Sequence, residues 1–168
     1  MKRILLTGLS GTGKSTVIGA LAARGHEAID LDSDAWSHWV DCADDPALGP
    51  PVEAGRDWVW REDRVRGLLE REGSGDLFVS GCAMNMRQFY PRLDHVILLS
   101  APAAVISERL TTRTTNPYGR RPEELARVLD QIRTIEPMLR RGAGHEIDTS
   151  APLDQVVRRV LEIARASG

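Results

Sequence analysis

Gly8-Leu9-Ser10-Gly11-Thr12-Gly13-Lys14-Ser15 satisfies the pattern G-x-x-x-x-G-K-[ST] at every fixed position. It follows the apolar run Arg3-Ile4-Leu5-Leu6-Thr7 and precedes Lys14 to Arg24, which has helical periodicity. A glycine loop between a strand and a helix turns successive backbone N–H groups and the positive end of the helix toward one point, where a phosphate binds. Lys14 then reaches the β- and γ-oxygens of a nucleotide and Ser15 takes Mg²⁺. Gly8, Ser10, Gly11, Thr12, Gly13, Lys14, Ser15 and Thr16 are therefore the expected nucleotide-binding residues, with ATP and Mg²⁺ as the expected cofactors. There is no Asn-Lys-x-Asp guanine-reading motif, and Ser80 stands where many mechanical ATPases place a Walker-B aspartate.

Outward from this loop the chain alternates apolar runs with helical periodicity, the pattern of an α/β domain with a parallel sheet. Strands are expected at Arg3 to Thr7, Glu27 to Leu31, Leu77 to Ser80, His95 to Ser100 and Glu146 to Asp148. Helices are expected over Asp57 to Glu72, from Pro102 to about Arg113, from Pro122 through Leu139, and from Pro152 with Leu153, Val156, Val157, Val160 and Leu161 turned inward. A further helix is expected to carry Trp36 and Trp39. The expectation is one domain over 1–168, a three-layer P-loop NTPase fold with a five-stranded parallel sheet and a short lid. The stretches 41–56 and 114–121 lack periodicity and read as binding loops or lids.

The 168 residues carry 22 Lys and Arg against 24 Asp and Glu, a formal charge of −2. A balance so close to neutral argues against a nucleic-acid surface. The two cysteines, Cys42 and Cys82, have no metal-ligand spacing and suggest no disulfide framework, and no apolar run is long enough for a membrane span. A cytoplasmic protein, monomeric or homodimeric, acting on a small-molecule acceptor is expected.

Leu31-Asp32-Ser33-Asp34 closes the second expected strand, and carboxyl ends of parallel strands face the ligand crevice. Alternation along an extended segment points Asp32 and Asp34 to one side, Asp32 toward Mg²⁺ or its water and Asp34 toward a substrate hydroxyl as base or anchor. Alternatively, Asp34 caps a helix. The phosphate loop, this Asp-x-Asp and the order of elements resemble the nucleoside-monophosphate-kinase-like P-loop kinases, including shikimate, gluconate and adenylate kinases. That resemblance implies transfer of a γ-phosphoryl group to a hydroxyl of a small metabolite or natural product. A nucleoside monophosphate kinase, or a nucleotide switch or regulatory ATPase without an acceptor, are the alternatives.

Within the resemblance, Trp60-Arg61 is similar to the Phe-Arg of a shikimate kinase substrate segment, which makes Arg61 an anion contact. Arg64 and Ser80-Gly81-Cys82 depart from that family's glutamate and triple glycine. Arg87 falls near an adenylate kinase arginine that holds substrate phosphate. Glu108-Arg109-Leu110-Thr111-Thr112-Arg113 resembles the entry to an adenylate kinase lid, implying that Arg109 stacks on adenine and Arg113 contacts phosphate. Arg120 or Arg121, beyond Asn116-Pro117-Tyr118-Gly119, would be carried over the transferring group by a lid at about 113–122. Trp36, Trp39, Trp58 and Trp60 fall in the acceptor segment, about 33–72. Trp36 is taken with Asp34, Arg61 and Arg87 as substrate-binding, while Lys14, Asp34, Arg113 and Arg120 are the expected catalytic set.

Overall fold

A computed structural model of the chain describes residues 1–42 and 55–166. Ile4, Leu5 and Leu6 of β1 (Arg3–Thr7) are wholly buried, as a central parallel strand covered on both faces must be. Side-chain alternation sends Ile4 and Leu6 to one face and Leu5 to the other. On the first face Ile4 and Leu6 meet Phe78, Ile97 and Leu99 under α1 (Lys14–Ala22) and the C-terminal helix. On the second, Leu5 joins Leu77, Val79 and Leu98 against Val65, Leu68 and Leu69. These two cores make three layers.

The strands β1, β2 (Glu27–Asp30), β5 (Leu77–Ser80), β6 (His95–Ser100) and β7 (His145–Asp148) form one parallel sheet in the order β2-β5-β1-β6-β7. This is the five-stranded sheet expected from the sequence. Asp30 pairs in register with Ser80, and Leu6 with both Ser80 and Ile97. The strand ends therefore gather at the loop after β1.

Three elements differ from expectation. Residues 57–60 belong to an antiparallel hairpin, β3 (Ser37–Asp41) with β4 (Arg56–Trp60), and Trp39 pairs with Trp58. Aromatic and β-branched residues favour such pairing, so neither Trp36 nor Trp39 lies on a helix. The helix α2 is confined to Glu62–Glu70, starting with the acidic turn Glu62 and Asp63. The stretch from Pro122 divides into α4 (Pro122–Thr134) and α5 (Glu136–Gly142) at Ile135, because Pro137 cannot donate the hydrogen bond a continuous helix needs. Most of the irregular stretch 41–56 lies outside the described residues.

A 3₁₀ segment (Met86–Arg92) follows β5, and α3 (Ala103–Thr112) packs Ile106 and Leu110 on Val128 of α4. In α6 (Leu153–Arg165), Val156, Val157, Val160, Ile163 and Ala164 are buried, while Leu153 is 39% exposed at the mouth of a cleft. No described helix is long and apolar enough to cross a membrane.

Candidate active site

The glycine loop leaves β1 and enters α1 at Gly13, which takes a left-handed φ of 91°. Gly8 lies so close to the carbonyl oxygen of Leu99 that a Cβ there would overlap it. Thr12 is buried, and its hydroxyl donates to the Leu9 carbonyl at 2.8 Å. Gly8 and Thr12 thus shape the loop from behind, whereas Ser10, Gly11, Gly13, Lys14, Ser15 and Thr16 line the cleft in front of it. Lys14 donates its ammonium hydrogens to the carbonyls of Gly8 at 2.7 Å and Leu9 at 3.2 Å. The cleft measures about 490 Å³.

Of the expected pair Asp32 and Asp34, the structure brings only Asp32 to the clefts, and it brings Asp30 there with it. Ser15 donates its hydroxyl to Asp30 Oδ2 at 2.9 Å, and Ser80 donates to Asp30 Oδ1 at 3.2 Å. Asp32 accepts the Cys82 backbone N–H at 3.1 Å and the indole N–H of Trp60 at 3.4 Å. Burial pushes its carboxyl pKa up, and Asp30 adds to the rise, while Lys14 and the two donors oppose it. Asp34 is exposed and lines neither cleft. The chain turns at 31–36 instead of staying extended, with Trp36 and Ser37 both donating to the Ser33 carbonyl, so alternation ceases to hold beyond Asp32. Asp30 was legible as the first of three aspartates spaced by two, and only the strand register selects it.

A second cleft of about 380 Å³ adjoins the first, and Ser10, Lys14, Asp32 and Asn116 line both. Its walls include Trp39 and Trp58 from the hairpin, Arg87 and Tyr90 after β5, and Ile135, Met138 and Leu139 around α5. Trp36 packs half-buried against the core, and Trp60 is 1% exposed beneath Asp32. Arg61 directs its Nε–H to the Asp34 carbonyl at 3.4 Å, and neither Trp36 nor Arg61 reaches the second cleft. The aromatic lining thus comes from the hairpin partners Trp39 and Trp58 in place of Trp36.

Arg109 lines the first cleft but is engaged. It donates to the Thr149 hydroxyl at 2.9 Å, the Thr149 carbonyl at 2.5 Å and the Gly11 carbonyl at 3.3 Å. Thr149, absent from the sequence-based set, is buried with its hydroxyl 2.8 Å from the Thr12 carbonyl and 3.1 Å from that of Ser100. Arg113 also faces the first cleft, yet its guanidinium donates to the carbonyls of Asn116 at 2.9 Å and Tyr118 at 2.5 Å. Arg120, outside both clefts, donates to the Arg113 carbonyl. In this conformation Arg113 and Arg120 hold their own loop together and neither points an open fork at a phosphate.

The donor set suits Mg²⁺. That ion takes a hydroxyl and one or two carboxylates and keeps its remaining positions for water and phosphate, rather than requiring an all-protein cage. Ser15 and Asp30 are already in contact beside the loop, and among the described residues no cluster of three or more His, Cys, Asp or Glu forms a metal cage.

The sheet order, the glycine loop and the cleft at the strand ends define a P-loop α/β protein with the fold of the nucleoside-monophosphate-kinase-like group. The chain belongs to the AAA domain family, whose profile matches residues 4–130. A nucleotide-binding protein from Cereibacter sphaeroides is 28% identical over 147 residues, 88% of this chain, and the chain spans 44% of that relative's length. Shikimate kinase from Bacteroides thetaiotaomicron superposes with a TM-score of 0.67 at 21% identity, covering 98% of this chain and 99% of that one. Shikimate kinase from Acinetobacter baumannii, in complex with shikimate, gives 0.65 at 21% identity over 98% and 93%. A gluconokinase from Sinorhizobium meliloti 1021 gives 0.58 at 24% identity over 98% and 92%. At such identities the likeness speaks for the fold and leaves the substrate to be argued from the site.

Proposed function

We propose that this protein is an ATP- and Mg²⁺-dependent kinase that phosphorylates a hydroxyl of a small molecule. The observation that carries the reading is the junction of two clefts at Lys14 and Asp32, one floored by the phosphate loop and the other lined by aromatic, apolar and a few polar side chains. Two substrates bound side by side react across such a junction, and catalysis is then mainly positioning and charge neutralisation.

Ser15 and Asp30 would hold Mg²⁺, which would supply charge neutralisation at the phosphates when bound. Lys14 exchanges its loop carbonyls for phosphate oxygens. Asp32 orients the acceptor hydroxyl and takes its proton as the new oxygen–phosphorus bond forms and the bond from the γ-phosphorus to the β,γ-bridging oxygen breaks, releasing ADP. A carboxyl whose pKa is raised is a stronger base than an ordinary aspartate once ionised. Arg113 and Arg120 contribute transition-state charge only if the loop they staple rearranges.

The test is ATP consumption with phosphate followed onto acceptors by mass, in wild type, Asp32→Asn and Asp34→Asn. Loss of transfer in D32N with nucleotide affinity kept, and normal transfer in D34N, is the expected pattern. Full activity of D32N removes Asp32 from the mechanism. The Cereibacter sphaeroides relative, a nucleotide-binding protein, favours a second reading, a nucleotide switch or regulatory ATPase without a small-molecule acceptor. Its signature is hydrolysis independent of any acceptor.

A further inference from the structure

We infer that the second cleft accepts a ring-bearing, largely uncharged alcohol, stacked on the Trp39–Trp58 pair with its hydroxyl toward Asp32, and not a carboxylated polyol or a nucleotide. The inference rests on the kinase reading for the direction of transfer, but the ligand class follows from the walls alone. Trp58 is fixed by its indole N–H, which donates to the Asp32 carbonyl at 3.3 Å. Trp39 meets it edge-on, with centroids 5.1 Å apart and planes at 64°. The Arg56 guanidinium stacks on Trp39 at 4.6 Å. The aromatic platform is thus held in place before any ligand arrives, and rigid aromatic surface binds flat rings at little entropic cost.

The same cleft is also lined by Ile135, Met138 and Leu139, with Met84 and Met86. Thioether side chains adapt to ring edges and offer a carboxylate no hydrogen-bond donor, while the donors Ser10, Asn116, Tyr118 and Gln131 that also line the cleft are neutral groups suited to an alcohol. Apart from Lys14, which the phosphate loop requires, Arg87 is the guanidinium or ammonium lining this cleft among the described residues, and it is exposed; Asp32 carries the opposite charge. A site for a phosphate or for a carboxylate set among hydroxyls gathers several fixed cations and donors. Arg61, the residue that would have supplied a second guanidinium, is directed away to Asp34. Tyr90, its phenol pKa pushed up by burial, stays a neutral hydroxyl in the wall. A volume of about 380 Å³ is in the range that encloses most of a drug-sized ligand.

The experiment uses the whole chain with Mg²⁺ and a non-hydrolysable ATP analogue, and reads ligand binding by saturation-transfer NMR. The probes are tyrosol and 1-phenylpropane-1,3-diol, compared with shikimate, gluconate and AMP. The phenyl-ring protons should receive saturation while the three anionic probes receive none. Trp39→Ala should weaken tyrosol roughly tenfold, the scale of one lost aromatic contact, and Trp39→Phe should restore most of it. Because Trp39 is 39% exposed, the truncation leaves the core untouched. Binding of shikimate, gluconate or AMP without the ring alcohols overturns the inference, as does ring binding indifferent to Trp39. Turnover with ATP then separates the two readings: transfer to tyrosol supports both, transfer to shikimate or gluconate alone keeps the kinase and rejects the ring alcohol. Trp39-dependent ring binding with hydrolysis to water alone keeps the ligand class and rejects the kinase.

Discussion

At the residue scale, Asp32 combines burial with the nearby charge of Lys14. Its pKa is raised chiefly by burial, so the ionised form, which would serve as base under the kinase reading, prevails only at higher pH than for an ordinary aspartate, about 3.9. The rate of transfer should therefore rise with pH through an acid limb displaced above that value. Asp32→Asn should remove the limb and lower kcat roughly a hundredfold or more. A limb that persists in D32N assigns it to another group. Gly81 leaves the room that this carboxylate occupies. A Cβ at Gly81 would stand 2.7 Å from Asp32 Oδ1 and 2.9 Å from the Trp60 ring. Asp32 is tied to the Cys82 N–H and Trp60 is fully packed, so neither can yield easily. Gly81→Ala should cost about 1–3 kcal/mol of stability by overpacking and lower kcat as well. Urea unfolding and steady-state kinetics on the same preparation check both, and unchanged values in each would show that the neighbours relax freely.

At the element scale, the turn between β7 and α6 is joined to the phosphate loop through Thr149. Its hydroxyl stands between Arg109 and the carbonyls of Thr12 and Ser100, so loop, last strand and α3 share one buried contact. Thr149→Val keeps the shape and strands those partners, at a cost of about 1–3 kcal/mol. Nucleotide affinity should fall, and amide exchange in residues 8–16 should quicken. Unaltered exchange there would mean that the loop holds itself. Much of this architecture was legible in the sequence. The β1 run, the glycine loop and the strands at Leu77 and His95 appear where the apolar pattern put them, because buried parallel strands read as continuous apolar runs. The hairpin was not legible. Trp58-Val59-Trp60 next to Val65, Leu68 and Leu69 imitates helical spacing, and only pairing with Ser37–Asp41 across an irregular stretch decides otherwise. The misplacement of Asp34 has the same origin, since alternation holds within β2 and fails at the turn that leads into the hairpin. Arg113 shows a further limit: a sequence can place a guanidinium beside a cleft but does not reveal that its donors are committed to Asn116 and Tyr118.

At the scale of the whole molecule, α5 contributes to the second cleft and to the core, and an ionic clamp ties it to the sheet. Met138 and Leu139 face the second cleft, while Arg140 donates to Glu146 of β7 at 2.7 and 2.8 Å and to Glu136 at 2.8 Å. Ser100 of β6 donates to Glu146 at 2.7 Å, so one carboxylate links two strands and the helix. The Arg140 bonds hold the Glu146 carboxyl below its usual pKa, with the Ser100 bond adding to the effect and partial burial opposing it. A carboxylate with a depressed folded pKa contributes stability that is complete above its unfolded pKa, about 4.3, and is lost as pH falls through the folded value. Glu146→Gln should therefore destabilise the protein at pH 7 and make progressively less difference below about pH 4.3. The Glu146 side chain is 36% exposed, and solvent screening limits the neutral-pH effect to about 1 kcal/mol or less. Thermal unfolding of both proteins across that pH range provides the measurement. A gap that stays constant into acid would assign the cost to packing. A gap that closes, with the KM for an acceptor rising in the variant at pH 7, would tie the clamp to the wall that the acceptor meets.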